Sequence, residues 1–437
     1  MKRLFLLLLL LLVPLSNAGA QALEIDITNA NPTSLPIAVV PMPYLGTSVA
    51  PDTDIAAVIR ADLNRSGKFR ALDEASMVEK PLRGSEINFA TFRLQRQDFI
   101  VVGRVLDNPD GGYRVEYELW DVAKQERLLG LAVGGRARGM RDVAHQIADQ
   151  IYEKILGERG AFWTRIAYVT ATGVGDNIQY ALMAADSDGW NPQPVVRSKE
   201  PLLSPAWSPD GRRLAYVSFE RGNSTIYIQE LATGAREVVA SFRGINGAPS
   251  FSPDGTKLAL TLSRTGNPEI YVMDLASRNL TQITNHYGID TEAVWTPDGR
   301  SLVFTSDRAG KPQLYQVPAT GGEATRLTFE EGASAAKATI SFDGKKIAVA
   351  QGRGNVYRIA ILDRSFGGAG RWDPPLSPGN LDESPSFAPN ASMVLYATRE
   401  GGRGVLYAVS ADGRVRQRLI LADGDVREPA WSPYRQR

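Results

Sequence analysis

The 437-residue chain contains no cysteine and only two histidines, His145 and His286. The first absence removes disulfides, thiolate nucleophiles and Cys-ligated zinc together. The second leaves imidazole chemistry thinly supplied. An excess of charge of one sign is also missing: 49 Lys+Arg face 48 Asp+Glu, so no global field favours nucleic acid or a membrane surface as partner. After the first residues no run of about 20 apolar side chains occurs, so direct membrane insertion is not expected. With 43% hydrophobic and 22% charged residues, wholesale disorder is excluded, and the length asks for two or three domains.

What is present begins with an export signal. Lys2-Arg3 is followed by an apolar run over residues 4–13 and a small-residue end at Ala20-Gln21-Ala22, the three regions of a secretory signal peptide. Residues 1–22 are therefore expected to be removed, with a cut after Ala20 as the alternative. The site has no following Cys, which excludes a lipid-modified N-terminus. An exported chain without disulfides fits a bacterial periplasm, where they form but are not obligatory.

Internal repetition determines the larger part. Pro205-Ala206-Trp207-Ser208-Pro209-Asp210-Gly211 recurs at Pro249-Ser250-Phe251-Ser252-Pro253-Asp254-Gly255 and Ala293-Val294-Trp295-Thr296-Pro297-Asp298-Gly299, then in degenerate form around Phe342, Pro389 and Pro433. Equivalent positions 209, 253, 297, 342, 389 and 433 are spaced 44, 44, 45, 47 and 44 residues apart. Each copy reads as a strand ending in a tight turn: Pro presets φ, Asp caps its own backbone, and Gly accepts the left-handed conformation. An apolar run follows, such as Leu214-Ala215-Tyr216-Val217, and then a strand carrying Tyr180, Tyr227, Tyr271, Tyr315, Tyr357 or Tyr407. Four antiparallel strands per roughly 45 residues predict a six-bladed β-propeller over residues 165–437. Its last copy supplies one strand and residues 165–180 supply the next two, so the ends should close the ring. The tyrosines and Trp207, Phe251, Trp295, Phe387 and Trp431 are expected in the core between blades.

Residues 23–160 read as a small α/β domain. Ile37-Ala38-Val39-Val40 and residues 99–103 are buried strands, residues 113–122 and 127–133 form a hairpin, and residues 52–66 and 141–156 are helices with one apolar face each. His145 falls in the second helix and is expected at its surface or as a cap.

Propellers with similar turns occur in hydrolases of the prolyl-oligopeptidase type, so a propeller-containing periplasmic hydrolase is the alternative reading. Its nucleophile elbow needs Gly-x-Ser-x-Gly and a downstream His; Gly332-Ala333-Ser334-Ala335-Ala336 lacks the second Gly, and no His follows His286. Gly173-Val174-Gly175 lacks the third glycine of a dinucleotide site. Asp186-Ser187-Asp188-Gly189 lacks the distal Glu of a calcium loop and reads as a hairpin turn. Asp382-Glu383 is an ordinary acidic pair. No catalytic, cofactor or metal residue is assigned, and the protein is expected not to be an enzyme.

A docking face remains. Loops between second and third strands carry Arg221, Arg264 and Arg308, while the loops opening each first strand carry Asn246, Ala248, Thr291 and Glu292, all on one side of the ring. They form either a self-paired polar rim or a docking ring for a protein partner.

The signal peptide, the small α/β domain and the six Trp-Ser-Pro-Asp-Gly-type blades together resemble the TolB family of the periplasmic Tol-Pal system. Asn246-Gly247-Ala248-Pro249, Thr291-Glu292 before Trp295, and Pro429-Ala430-Trp431-Ser432-Pro433-Tyr434 carry the resemblance over the whole mature chain. It implies a non-enzymatic adaptor that links the lipoprotein Pal to the inner-membrane protein TolA and supports outer-membrane integrity and its constriction during division. The Pal-facing part of the family's propeller corresponds to Ala248 and Thr291, with Ile245 standing where relatives have a histidine. The TolA-binding segment corresponds to Leu23, Glu24, Ile25, Asp26, Ile27 and Thr28, whose alternation of apolar and acidic residues suits a strand added to a partner's sheet edge, or one paired within its own domain.

Overall fold

In the computed structural model the described residues are 25–27, by backbone alone, 34–419, 421 and 424–436. The expected signal peptide lies outside them. Among the described residues no helix is long and apolar enough to cross a membrane.

The α/β body is a five-stranded sheet in the order Phe69–Ala71, Leu35–Val39, Phe99–Asp107, Tyr113–Asp121, Glu126–Gly135. Pairing among the first three is parallel and thereafter antiparallel. Helix α1 (Ile55–Arg65) starts where the Asp54 carboxylate accepts the Ala57 N–H at 2.9 Å, an N-cap that satisfies a donor the helix cannot. A short helix, α2 (Phe89–Leu94), buries Phe92 with Ile100 and Val102 on one face of the sheet. Helix α3 (Met140–Leu156) stops at Gly157, whose φ of 77° is left-handed. Val143, Ile147 and Ile151 of α3 and Ile55, Ile59 and Leu63 of α1 meet Val101, Val115 and Tyr117 on the other face of the sheet.

The remaining strands make six radial sheets. Blade 1 takes its innermost strand, Asp425–Trp431, from the far end of the chain and pairs it with Arg165–Thr172, then Gln179–Asp186 and Gln193–Ser198. The ring thus closes by strand pairing, which leaves no open edge between last and first blade. Blades 2 to 6 begin at Leu202–Trp207, Asn246–Phe251, Asp290–Trp295, Ala333–Ile340 and Glu383–Phe387. In the turns after the first strand a hydroxyl donates to the Asp two residues on: Ser208 to Asp210 at 2.5 Å, Thr296 to Asp298 at 2.6 Å and Ser341 to Asp343 at 2.6 Å. Trp207, Phe251, Trp295, Phe387 and Trp431 are buried between blades. Two indoles also tie adjacent blades, Trp207 Nε1 donating to the Ala430 carbonyl and Trp295 Nε1 to that of Ser250, both at 3.0 Å.

Three expectations are corrected. Tyr216 pairs with Tyr227 and Tyr396 with Tyr407 across the second and third strands, but the residues at that register in blades 1 and 5 are Met183 and Ala360. Tyr180 and Tyr357 lie three residues earlier in their strands, and Tyr357 is 40% exposed. His145 is 1% exposed, packed where the two domains meet and not at a helix surface. Finally, Ile25–Ile27, expected to open the α/β domain or to stay available to a partner, pairs antiparallel with Val415–Gln417 as the fifth strand of blade 6.

Candidate docking face at the channel mouth

Every first strand carries a β-bulge, and the bulge residue has left-handed backbone: Ser204, Ala248, Glu292, Lys337, Ser384 and Glu428, with φ between 44° and 56°. Each stands five residues before its repeat position. Positive φ in residues other than glycine is uncommon, and at several bulges the displaced amide bonds to the preceding blade. Glu292 N donates to Thr261 Oγ1 at 3.3 Å, Lys337 N to Thr305 Oγ1 at 3.1 Å, and Ser204 N to Glu428 Oε2 at 3.1 Å. The bulges therefore join blades as well as turning side chains toward the axis.

Five of these residues, Ser204, Ala248, Glu292, Lys337 and Glu428, line a central channel of about 410 Å3. Its charges are unevenly matched. Lys337 Nζ pairs with Glu428 Oε1 at 3.0 Å; burial alone would push that ammonium down, but Glu428 and Glu292 outweigh it and hold it above its ordinary value. Burial likewise pushes Glu428 up, and Lys337 reverses it to below the usual range. For Glu292, burial, reinforced by Glu428, outweighs the pull of Lys337 and of the Thr305 hydroxyl at 3.4 Å and leaves its carboxyl raised.

Around the mouth the predicted residues divide. Ala248 and Thr291 are partly exposed, Thr291 Oγ1 lying 3.3 Å from Thr261 Oγ1. Asn246 is fully buried, its side chain accepting from Phe242 N at 2.8 Å and donating to the Phe242 and Gly244 carbonyls; it shapes the loop and is not offered to a partner. Arg308 pairs with buried Asp290 at 2.7 Å and lies over Tyr315, the self-paired rim. Arg221 and Arg264 are exposed, over Tyr227 and Phe242 respectively. Sequence reasoning overlooked an apolar crown. Ile245, Tyr287 and Ile289, Phe329, and Leu381 sit in the loops opening blades 3 to 6, all exposed, Tyr287 by 84%. Neighbouring exposed apolar residues at the rim of a polar cavity mark a protein interaction surface. The signal was legible, since each crown residue but Phe329 lies within three positions of a first strand.

Of the N-terminal segment, Ile25, Asp26 and Ile27 face Gln417, Arg416 and Val415 in register; Leu23, Glu24 and Thr28 lie outside the described residues. Among the described residues one buried group, Asp62, His145 and Asp188, has metal-ligand chemistry. Arg65 donates to Asp62 and Arg141 to Asp188, so guanidinium protons already occupy both carboxylates and the group does not suit a cation.

A family model described as TolB beta propeller domain matches residues 152–435, and one described as TolB amino-terminal domain matches residues 23–128. The "Tol-Pal system protein TolB" of Xanthomonas oryzae pv. oryzae (strain PXO99A) is 69% identical over 424 residues, covering 97% of this chain and 96% of its own. That of Xanthomonas campestris pv. campestris (strain B100) is 68% identical over the same shares. Among solved structures, TolB from Acinetobacter baumannii is 43% identical with a TM-score of 0.85, covering 94% of this chain and 100% of its own.

Proposed function

We propose, from the premise that this chain belongs to the TolB family of Tol-Pal system proteins, that it is a non-enzymatic periplasmic adaptor. Its propeller binds the lipoprotein Pal at the channel mouth, and its mature N-terminal segment binds the inner-membrane protein TolA. Through these contacts it supports outer-membrane integrity and the invagination of that membrane during division. The observation that carries the reading is the crown: exposed Ile245, Tyr287, Ile289, Phe329 and Leu381 stand in the loops opening blades 3 to 6, the loops that lead to Ala248 and Thr291. Exposed apolar residues grouped on one face of a polar molecule mark a protein interaction surface.

Ala248→Arg combined with Thr291→Arg is expected to weaken Pal binding at least about tenfold, roughly 1.4 kcal/mol, by calorimetry, with an unchanged unfolding midpoint. Both side chains are partly exposed and neither backbone belongs to a glycine, so the ring should survive. Undiminished affinity would remove this face from the interface.

For TolA, the support is the segment's pairing with a sheet edge: three residue pairs hold it on blade 6, few enough to exchange for a partner's edge. Deleting residues 23–28 should abolish TolA binding and leave Pal binding in place, as read in a two-partner pull-down. Retention of TolA by the truncated chain would reject the assignment.

A further inference from the structure

The two domains meet through a buried set of charges that the docking reading leaves unused. From α1 come Asp62 and Arg65; from α3, Arg141, His145 and Asp149; from the turn after the Gln179–Asp186 strand of blade 1, Asp186 and Asp188. Asp62, Arg65, His145, Asp149 and Asp188 are all buried. His145 Nδ1 lies 2.6 Å from Asp62 Oδ2. On the other side of the same ring, Nε2 faces Asp188 Oδ2 at 3.8 Å and has no hydrogen-bond partner. The imidazole thus stands between a carboxylate of one domain and a carboxylate of the other. Arg65 crosses the boundary too, donating to the Ser187 carbonyl at 3.1 Å and to Ser187 Oγ at 2.7 Å. Arg141 reaches Asp188.

The charge balance depends on one proton. Arg65, Arg141 and imidazolium His145 face the carboxylates Asp62, Asp149 and Asp188, with Asp186 at the edge of the set, so losing the imidazolium proton leaves the carboxylates further in excess. Asp149 accepts from the amides of Phe162 and Trp163 in the linker, at 2.8 and 3.2 Å, and burial pushes its carboxyl up to about 6; burial does the same to Asp186, also to about 6. If His145 loses its proton, the Nδ1–H tautomer keeps the Asp62 bond but turns an Nε2 lone pair toward the Asp188 carboxylate. Two acceptors then face each other in a buried space, where an unpaired polar contact is unfavourable.

We propose that His145 is the proton-controlled latch of the interdomain joint: as imidazolium it holds Asp62 of the α/β domain and Asp188 of the propeller together, and its deprotonation loosens the two domains. Burial by itself would push the imidazolium down; Asp62 first and then Asp188 outweigh it, despite opposition from Arg141, and leave it raised. A raised basic group contributes stability that is complete below its unfolded value of about 6.5 and is lost as pH rises through its higher folded value. As far as His145 is concerned, the joint is therefore tight below the ordinary imidazole value and loosens as pH rises through the higher folded one.

With only His145 and His286 in the chain, the test is direct. Imidazole resonances of the mature protein, assigned with His286→Gln, should show His145 titrating above about 6.5, the ordinary imidazole value. Over the same interval the joint amides of Ser187, bonded to Thr164, and of Phe162 should lose exchange protection that the same amides of His145→Gln do not lose. Asp188→Asn, which keeps the histidine, should lower its midpoint. Titration at or below the ordinary value, protection unchanged through the titration, or a midpoint indifferent to Asp188→Asn would each overturn the latch.

Discussion

Replacing Arg65 by methionine should destabilise the protein by about 3–5 kcal/mol, the usual penalty for leaving one partner of a buried ion pair uncompensated. Arg65 is 1% exposed, donates from Nε to Asp62 Oδ1 at 3.0 Å, lies over the Phe162 ring at 5.2 Å, and makes two hydrogen bonds to Ser187 in the propeller. Methionine keeps much of the stem's packing and removes the charge, so the loss reports the broken Arg65–Asp62 pair, with Asp62 left to His145 alone, and the severed cross-domain bonds, not a cavity. Urea unfolding followed separately by a probe in each domain would measure it, because a molecule of two domains need not unfold as one unit. A loss under about 1 kcal/mol by both probes would mean that the joint contributes little to either domain.

Trp431→Ala is expected to cost about 3–5 kcal/mol as well, for a different reason: an emptied aromatic site in a packed core. Trp431 sits on the closing strand, 6% exposed, its indole donating to Thr164 Oγ1 at 2.8 Å and its amide to Ser386 Oγ at 2.8 Å. It therefore touches the linker and blade 6 as well as its own blade. Trp431→Phe retains most of the apolar surface and loses one hydrogen bond, so its cost should fall near about 1 kcal/mol. Differential scanning calorimetry of both variants separates packing from bonding. Equal effects from the two substitutions would show that the hydrogen bond, and not the volume, fastens the ring.

Much of the fold was legible because its grammar is local. Pro, Asp and Gly at the turns after the first strands of blades 2 to 4 specify strand, reversal and strand without any distant partner, and the repetition of that unit, in degenerate form in the other blades, gives the ring. Helix α3 was legible through Val143, Ile147 and Ile151. Tyr357 misled because a repeat counted by residue type does not fix strand register, and only register distinguishes Tyr357 from the inward Ala360. His145 misled for a similar reason: helical periodicity places a residue on a face, but a second domain covers that face. The docking site was half visible. Positions Ala248 and Thr291 came from resemblance and lie at the mouth. Asn246 and Arg308, chosen for polarity, are engaged within the protein, because a polar side chain on a loop serves the loop's own backbone as readily as a partner.

The bulges have one more consequence. None of the six left-handed positions is a glycine: they are Ser204, Ala248, Glu292, Lys337, Ser384 and Glu428. The backbone there is fixed by strand pairing on both sides, so the side chain's identity is not what holds the conformation. Serine, alanine, glutamate and lysine are all accommodated at one geometric place. The channel thus displays five of these side chains on a fixed backbone frame, and its charge can be rewritten blade by blade wherever the side chain, unlike that of Glu428, does not itself tie neighbouring blades.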